Sequence, residues 1–154
     1  MGKSCRLIIA LVAILFFAQG LPGRAADAQM QANRFVASAD GTVMDTGTGL
    51  MWAAADNGAD IGWDEAESFC SKFRAGGHAD WRLPTLTELD TLFDQASEKR
   101  YKIFSPITLT GCCPWTSDTR RNRARSIFFM TGEINTFEKS VSSNMRALPV
   151  RTTR

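Results

Sequence analysis

Ten consecutive residues, Asp80-Trp81-Arg82-Leu83-Pro84-Thr85-Leu86-Thr87-Glu88-Leu89, constrain the fold more than any other stretch of the chain. They pass from an aromatic–aliphatic strand pattern, through a proline, into an amphipathic helix. Pro84 pushes Leu83 into extended geometry, because the ring of proline disfavours the helical region for the residue before it. Thr85 is then placed to cap the helix, with Glu88 three residues on as its reciprocal partner. Such a cap is worth about 1 kcal/mol, so a strand-to-helix joint is specified here.

The 154 residues suffice for one domain once the first segment is set aside. Lys3 and Arg6 form a basic start, and an apolar run of twelve residues follows from Leu7 to Ala18. That is shorter than the roughly 18 residues of a membrane span. Two small-x-small sites, Ala18-Gln19-Gly20 and Ala26-Asp27-Ala28, complete the pattern of a Sec-type signal peptide over residues 1–28. An uncleaved anchor is the rival reading. Cys5 precedes the apolar run and is not placed for lipid attachment. The expected organisation is a signal peptide at 1–28, a polar lead-in at 29–33, one domain at 34–151 and a tail at 152–154. The product is then periplasmic or extracellular.

Without residues 1–28 the chain carries 15 basic and 15 acidic side chains, but they are unevenly spread. Residues 29–98 hold four basic groups against twelve acidic ones; residues 99–154 hold eleven against three. The halves should attract each other and leave a basic face, although scattered surface pairs contribute little individually.

Three cysteines remain: Cys70, Cys112 and Cys113. In an oxidising compartment a bridge is expected, with one thiol left over. A link from Cys70 to Cys112 or Cys113 would close a loop of about forty residues and stabilise by roughly 4 kcal/mol. A bond between neighbouring cysteines would add little on that account. No metal is expected, since His78 is the only histidine and no Cys-x-x-Cys spacing occurs. No cofactor motif is present.

Apolar residues at Trp63, Ala66, Phe69, Cys70 and Phe73 predict a helix over 63–73. Asp64, Glu65 and Glu67 suit its positive end, and Gly76-Gly77 stops it. Leu86, Leu89, Leu92, Phe93 and Ala96 predict a second helix over 86–96. Short strands are predicted near 35–36, 42–44, 50–53, 114–117, 126–130, 134–137 and 145–150, parted by turns such as Asp40-Gly41 and Thr131-Gly132. The fold class is α+β.

Several of these landmarks occur together in a known family. Gly41-Thr42-Val43 with Asp45, Thr48-Gly49-Leu50-Met51-Trp52, Trp63-Asp64-Glu65-Ala66 with Cys70, the stretch from Asp80 to Leu89, Trp115-Thr116-Ser117 and the closing Arg146 to Arg151 resemble the C-terminal domain of Legionella collagen-like adhesins. The likeness covers about residues 34–151. It implies a single C-type-lectin-like domain, akin to the sulfatase-modifying factors, and an exported binding role with sulfated glycans as ligands of the adhesin members. Many relatives carry a cysteine near the position of Pro149 that pairs with the first-helix cysteine. Its absence leaves Cys70 to Cys112, to Cys113, or free. The calcium signatures of sugar-binding lectin folds are also absent.

Within the signature, Asp80, Trp81, Arg82, Leu83, Pro84 and Glu88 are expected to serve architecture. In particular, the five donors of Arg82 suit a tether between carboxylates or carbonyls. Trp52, Trp63 and Trp81 lie in apolar patterns, while Trp115 is the candidate for contact with a ligand. Arg120, Arg121, Arg123 and Arg125 fall within six residues and predict a basic loop between two strands. Their forked donors suit sulfate, carboxylate or phosphate. The functional expectation is a non-enzymatic module for an anionic polymer, such as a sulfated glycan or envelope polysaccharide, with lipopolysaccharide and nucleic acid also fitting the charge. The alternatives are a thiol-dependent enzyme related to the sulfatase-modifying factors and a structural envelope component.

Overall fold

The computed structural model describes residues 34–153, so the predicted signal peptide lies outside the described residues. Among the described residues the order is β1 (Phe35–Ala37), β2 (Thr42–Asp45), β3 (Leu50–Ala53), α1 (Trp63–Lys72), α2 (Leu86–Asp90), β4 (Cys113–Arg120), β5 (Arg123–Phe128), β6 (Glu133–Glu138), β7 (Met145–Arg146) and β8 (Val150–Thr152). The strands form two four-stranded sheets, in the orders β1-β2-β3-β8 and β6-β5-β4-β7. All pairings are antiparallel except β4 with β7. The fold is α+β.

The first sheet turns from β2 to β3 around a buried carboxylate. Asp45 accepts two bonds of 2.7 Å from Arg34, with further donors from Gly47 N at 3.0 Å and Thr48 Oγ1 at 2.8 Å. Burial pushes its pKa up, but these donors outweigh that effect and hold the carboxyl below its ordinary value. Gly49 follows with φ of 71°, a conformation that favours glycine.

α1 has the predicted extent, with Phe73 as its C-cap, and buries Trp63, Ala66 and Cys70. These pack with Leu83, Trp115, Ala124 and Met145. A second cluster joins Val43, Trp52, Leu89, Leu92, Ile127, Phe129, Leu148 and Val150. All four tryptophans are buried.

α2 is shorter than the predicted 86–96. Its capping box is formed, with Glu88 N donating to Thr85 Oγ1 at 3.2 Å and Thr85 N donating to the Glu88 carboxylate at 2.8 Å. The helix ends because the following backbone is claimed elsewhere. Phe93 pairs with Ile103 as an isolated bridge, and Asp94 N donates to Lys102 O at 2.9 Å. Leu86, Leu89 and Leu92 stay buried while Ala96 is exposed. Tertiary pairing thus overrides an apolar periodicity that runs beyond the helix.

The joint between Leu83 and Leu89 is more tightly tied than its cap alone requires. Arg82 holds Glu88 through two bonds of 2.8 and 2.7 Å and reaches Leu83 O at 3.1 Å. Its backbone pairs with Val150 of β8. Burial would raise the Glu88 pKa, but the bonds from Arg82 and Thr85 hold the carboxyl below its ordinary 4.5. A carboxylate depressed in this way stabilises the fold above its unfolded pKa and loses that contribution as pH falls through the folded one. Thr85→Ala should therefore cost about 1 kcal/mol and Glu88→Gln about 1–2 kcal/mol at pH 7. The gap between wild type and Glu88→Gln should narrow towards pH 3 in denaturant melts. A gap unchanged by acid would show that the carboxylate charge is not what holds the joint.

Candidate functional site

The four arginines singled out in the sequence lie on a β-hairpin rather than in a basic loop. Arg120 ends β4, Arg123 and Arg125 lie in β5, and only Arg121 and Asn122 form the turn. The alternation explains why. Ala124 and Ser126 point inward and are fully buried, so Arg123 and Arg125 must point outward. Side chains two apart on one face are spaced by about 7 Å.

Register brings further residues to this face. Arg120 stands opposite Arg123, and Arg123 stands opposite Glu138 of β6, so three strands contribute one row of charges. Thr136 stands opposite Arg125. Together with Asp118, Thr119, Arg121 and Asn122, these residues line an open groove of about 850 Å³. Thr136 and Glu138 are not visible as neighbours of the arginines in the sequence. The alternation of β5 was the readable signal, but the register with β6 depends on the turn at residues 129–132.

Within the groove, Arg123 is 3.6 Å from the Glu138 carboxylate and donates to Thr136 O at 3.1 Å. Asn122 Nδ2 donates to Glu138 at 2.8 Å. Among the described residues, Arg120, Arg121 and Arg125 have no carboxylate within 4.0 Å, whereas Arg34, Arg82 and Arg151 each hold one and Arg146 two. Arg121 has φ of 55°, a left-handed conformation that glycine or asparagine takes at lower cost. A long cation sits where a turn alone would favour a small residue.

The hairpin is fixed at its base. Asp118 accepts the Leu86 N–H at 2.6 Å, and Ser117 N donates to Pro84 O at 2.8 Å. Pro84 lies in the joint before α2, and Leu86 is the first residue of that helix. The signature and the arginines, far apart in sequence, are thus mechanically connected.

The remaining signature groups are engaged internally. Asp80 pairs with Arg151 at 2.7 Å, and that pairing, ahead of the opposing effect of desolvation, holds its carboxyl below the ordinary value. Arg146 donates to Asp60 at 2.6 Å and lies 3.8 Å from Asp56. The attraction expected between the two halves is realised in these pairs. Trp81 is buried, with its indole N–H directed at Ala75 O at 3.3 Å.

Two sequence expectations are corrected. Trp115 is fully buried; its indole donates to Ile61 O at 2.9 Å and its ring meets Phe137 edge-on, so it cannot present a face to a ligand. The bridge from Cys70 is not made either. Cys112 and Cys113 are bonded to each other, and Cys70 is a free thiol buried in the α1 cluster. The neighbouring sulfurs satisfy each other, while Cys70 packs as a small apolar side chain. Burial, with a smaller effect of Glu67, pushes the Cys70 pKa up to about 12. That thiol is therefore protonated at neutral pH and is a poor nucleophile. A chain starting at residue 29 should show no fast thiol with Ellman's reagent when native, one when unfolded and three after reduction. Two fast native thiols would contradict this arrangement.

Among the described residues, no helix is long and apolar enough to cross a membrane, and no group of three or more His, Cys, Asp or Glu side chains could hold a metal ion. No curated protein matches the chain. The family description "Lcl C-terminal domain" matches residues 41–151, from the turn before β2 to β8. This span takes in the second sheet, all of the first sheet except β1 and the end of β8, the joint before α2 and the arginine hairpin, and over it the chain belongs to the Lcl C-terminal domain family.

Proposed function

We propose that this protein is an exported, non-enzymatic, C-type-lectin-like binding module whose arginine hairpin recognises an anionic polysaccharide. The observation that carries the reading is the contrast among arginines. Arg34, Arg82, Arg146 and Arg151 are each committed to a carboxylate, whereas Arg120, Arg121 and Arg125 present unpaired guanidinium groups along an open groove. Guanidinium forks suit sulfate and carboxylate groups through paired hydrogen bonds. A repeat of about 7 Å along β5 suits a chain bearing regularly spaced anions better than one compact anion.

Single-stranded nucleic acid fits less well. Its binding relies on aromatic side chains for base stacking, and none lines the groove. The exported location expected from the sequence of residues 1–28 also favours a polysaccharide of the envelope or of an external surface.

Heparin chromatography at graded salt tests this reading, with duplex DNA and an uncharged dextran as comparison matrices. Wild type should be retained on heparin, and the variant with Arg120, Arg121, Arg123 and Arg125 all changed to alanine should elute at clearly lower salt. Its thermal unfolding should change little, because all four side chains are exposed. Unchanged retention of the variant would remove the hairpin as the site. Stronger retention on DNA than on heparin would replace the polysaccharide with nucleic acid, and no retention on either would favour a structural role in the envelope.

A further inference from the structure

We propose that Glu138 is a built-in competitor in the arginine groove: an internal anion that an incoming ligand displaces, and that makes the groove select charge-dense polymers over sparsely charged ones. This rests on the anionic-polysaccharide reading above and adds to it a residue that sets specificity.

The geometry of the row carries the inference. Arg120, Arg123 and Glu138 stand side by side across β4, β5 and β6. Like charges placed directly opposite on neighbouring strands repel, so the pair Arg120 and Arg123 calls for an anion. Glu138 supplies one from the far side, 3.6 Å from Arg123 Nε, and its other oxygen accepts from Asn122 at 2.8 Å. It therefore occupies two donors that a ligand would otherwise use.

Two features make this an exchangeable pairing rather than a fixed one. The Arg123 and Glu138 side chains are 55% and 50% exposed, and an exposed pair of this kind is weak. The second carboxylate of the groove, Asp118, is different, because it is tied to the Leu86 backbone at the hairpin base. Glu138 is thus the groove carboxylate that can swing away from the arginines without loosening the joint before α2.

The consequence is a threshold. An isolated sulfate or carboxylate must displace Glu138 with one contact of its own. A polymer already held by Arg120, Arg121 and Arg125 brings its next anion to Arg123 at high effective concentration. Dense polyanions displace Glu138; sparse ones engage only the three unpaired arginines and meet the Glu138 charge as repulsion.

The test compares wild type, Glu138→Gln, Arg123→Ala and the double variant by calorimetric titration with heparin and with hyaluronate, a polymer of much lower charge density. Glu138→Gln removes the charge but keeps an acceptor for Asn122. It should tighten heparin binding by about two- to fivefold and hyaluronate binding by a larger factor, narrowing the gap between them. Arg123→Ala should weaken heparin binding, and adding Glu138→Gln should recover a large part of that loss. Circular dichroism melts of each variant exclude misfolding as the cause, and the Arg123→Ala pair of variants tests the idea independently if Glu138→Gln alone proves unstable. Equal or weaker binding by a folded Glu138→Gln, while wild type binds heparin, would overturn the competitor role and leave the function standing. Absence of wild-type binding to either polymer would overturn both.

Discussion

The Glu88 carboxylate is the point on which the functional face depends. One oxygen closes the capping box on Thr85 and meets Arg82, and the other completes the Arg82 fork. A side chain so fully engaged has little freedom, and it fixes the direction in which α2 leaves Pro84. The first amide of that helix, Leu86 N–H, then receives Asp118 from the base of the arginine hairpin. The orphan donors at the start of a helix need partners. Here two carboxylates meet that need, one from within the helix and one from the strand that leads to the groove. The same joint reaches β8 through the backbone of Arg82. It therefore links both sheets as well as the helix.

Charge is divided along the same lines. The acidic first half of the domain and the basic second half are joined by Arg146 with Asp60 and Asp56, and by Arg151 with Asp80. In each pair the arginine side chain is 9% exposed, so these cations are used up inside the architecture. The hairpin projects a cluster of four arginines from two strands and a two-residue turn, and three of them have no carboxylate partner among the described residues. Net charge alone would not reveal this surplus. What matters is which arginines already have a partner.

Local signals were legible in the sequence, and long-range ones were not. The three- and four-residue spacing from Trp63 to Phe73 defines α1 because one face of that helix is buried. The Thr85–Glu88 box is written in four residues and forms as written. By contrast, Leu92, Phe93 and Ala96 continue the helical spacing of α2, but pairing of Phe93 with Ile103 ends the helix. The sulfur bond between Cys112 and Cys113 needs no long-range partner, whereas entropy arithmetic favours the longer loop. Arg120 to Arg125 look like a loop by charge, yet the buried Ala124 and Ser126 between exposed arginines give strand periodicity. Glu138 enters the groove through register alone, which a single sequence does not display.

The central claim is that the unpaired hairpin arginines, and not the arginines built into the architecture, meet the ligand. Nitrogen-15 resonances of arginine Nε, followed during titration with a heparin oligosaccharide, report on each guanidinium separately. The signals of Arg120, Arg121 and Arg125 should shift in a saturable way, while those of Arg34, Arg82, Arg146 and Arg151 stay in place. Saturable shifts confined to the second group, or a hairpin that remains silent while the oligosaccharide binds, would contradict the account.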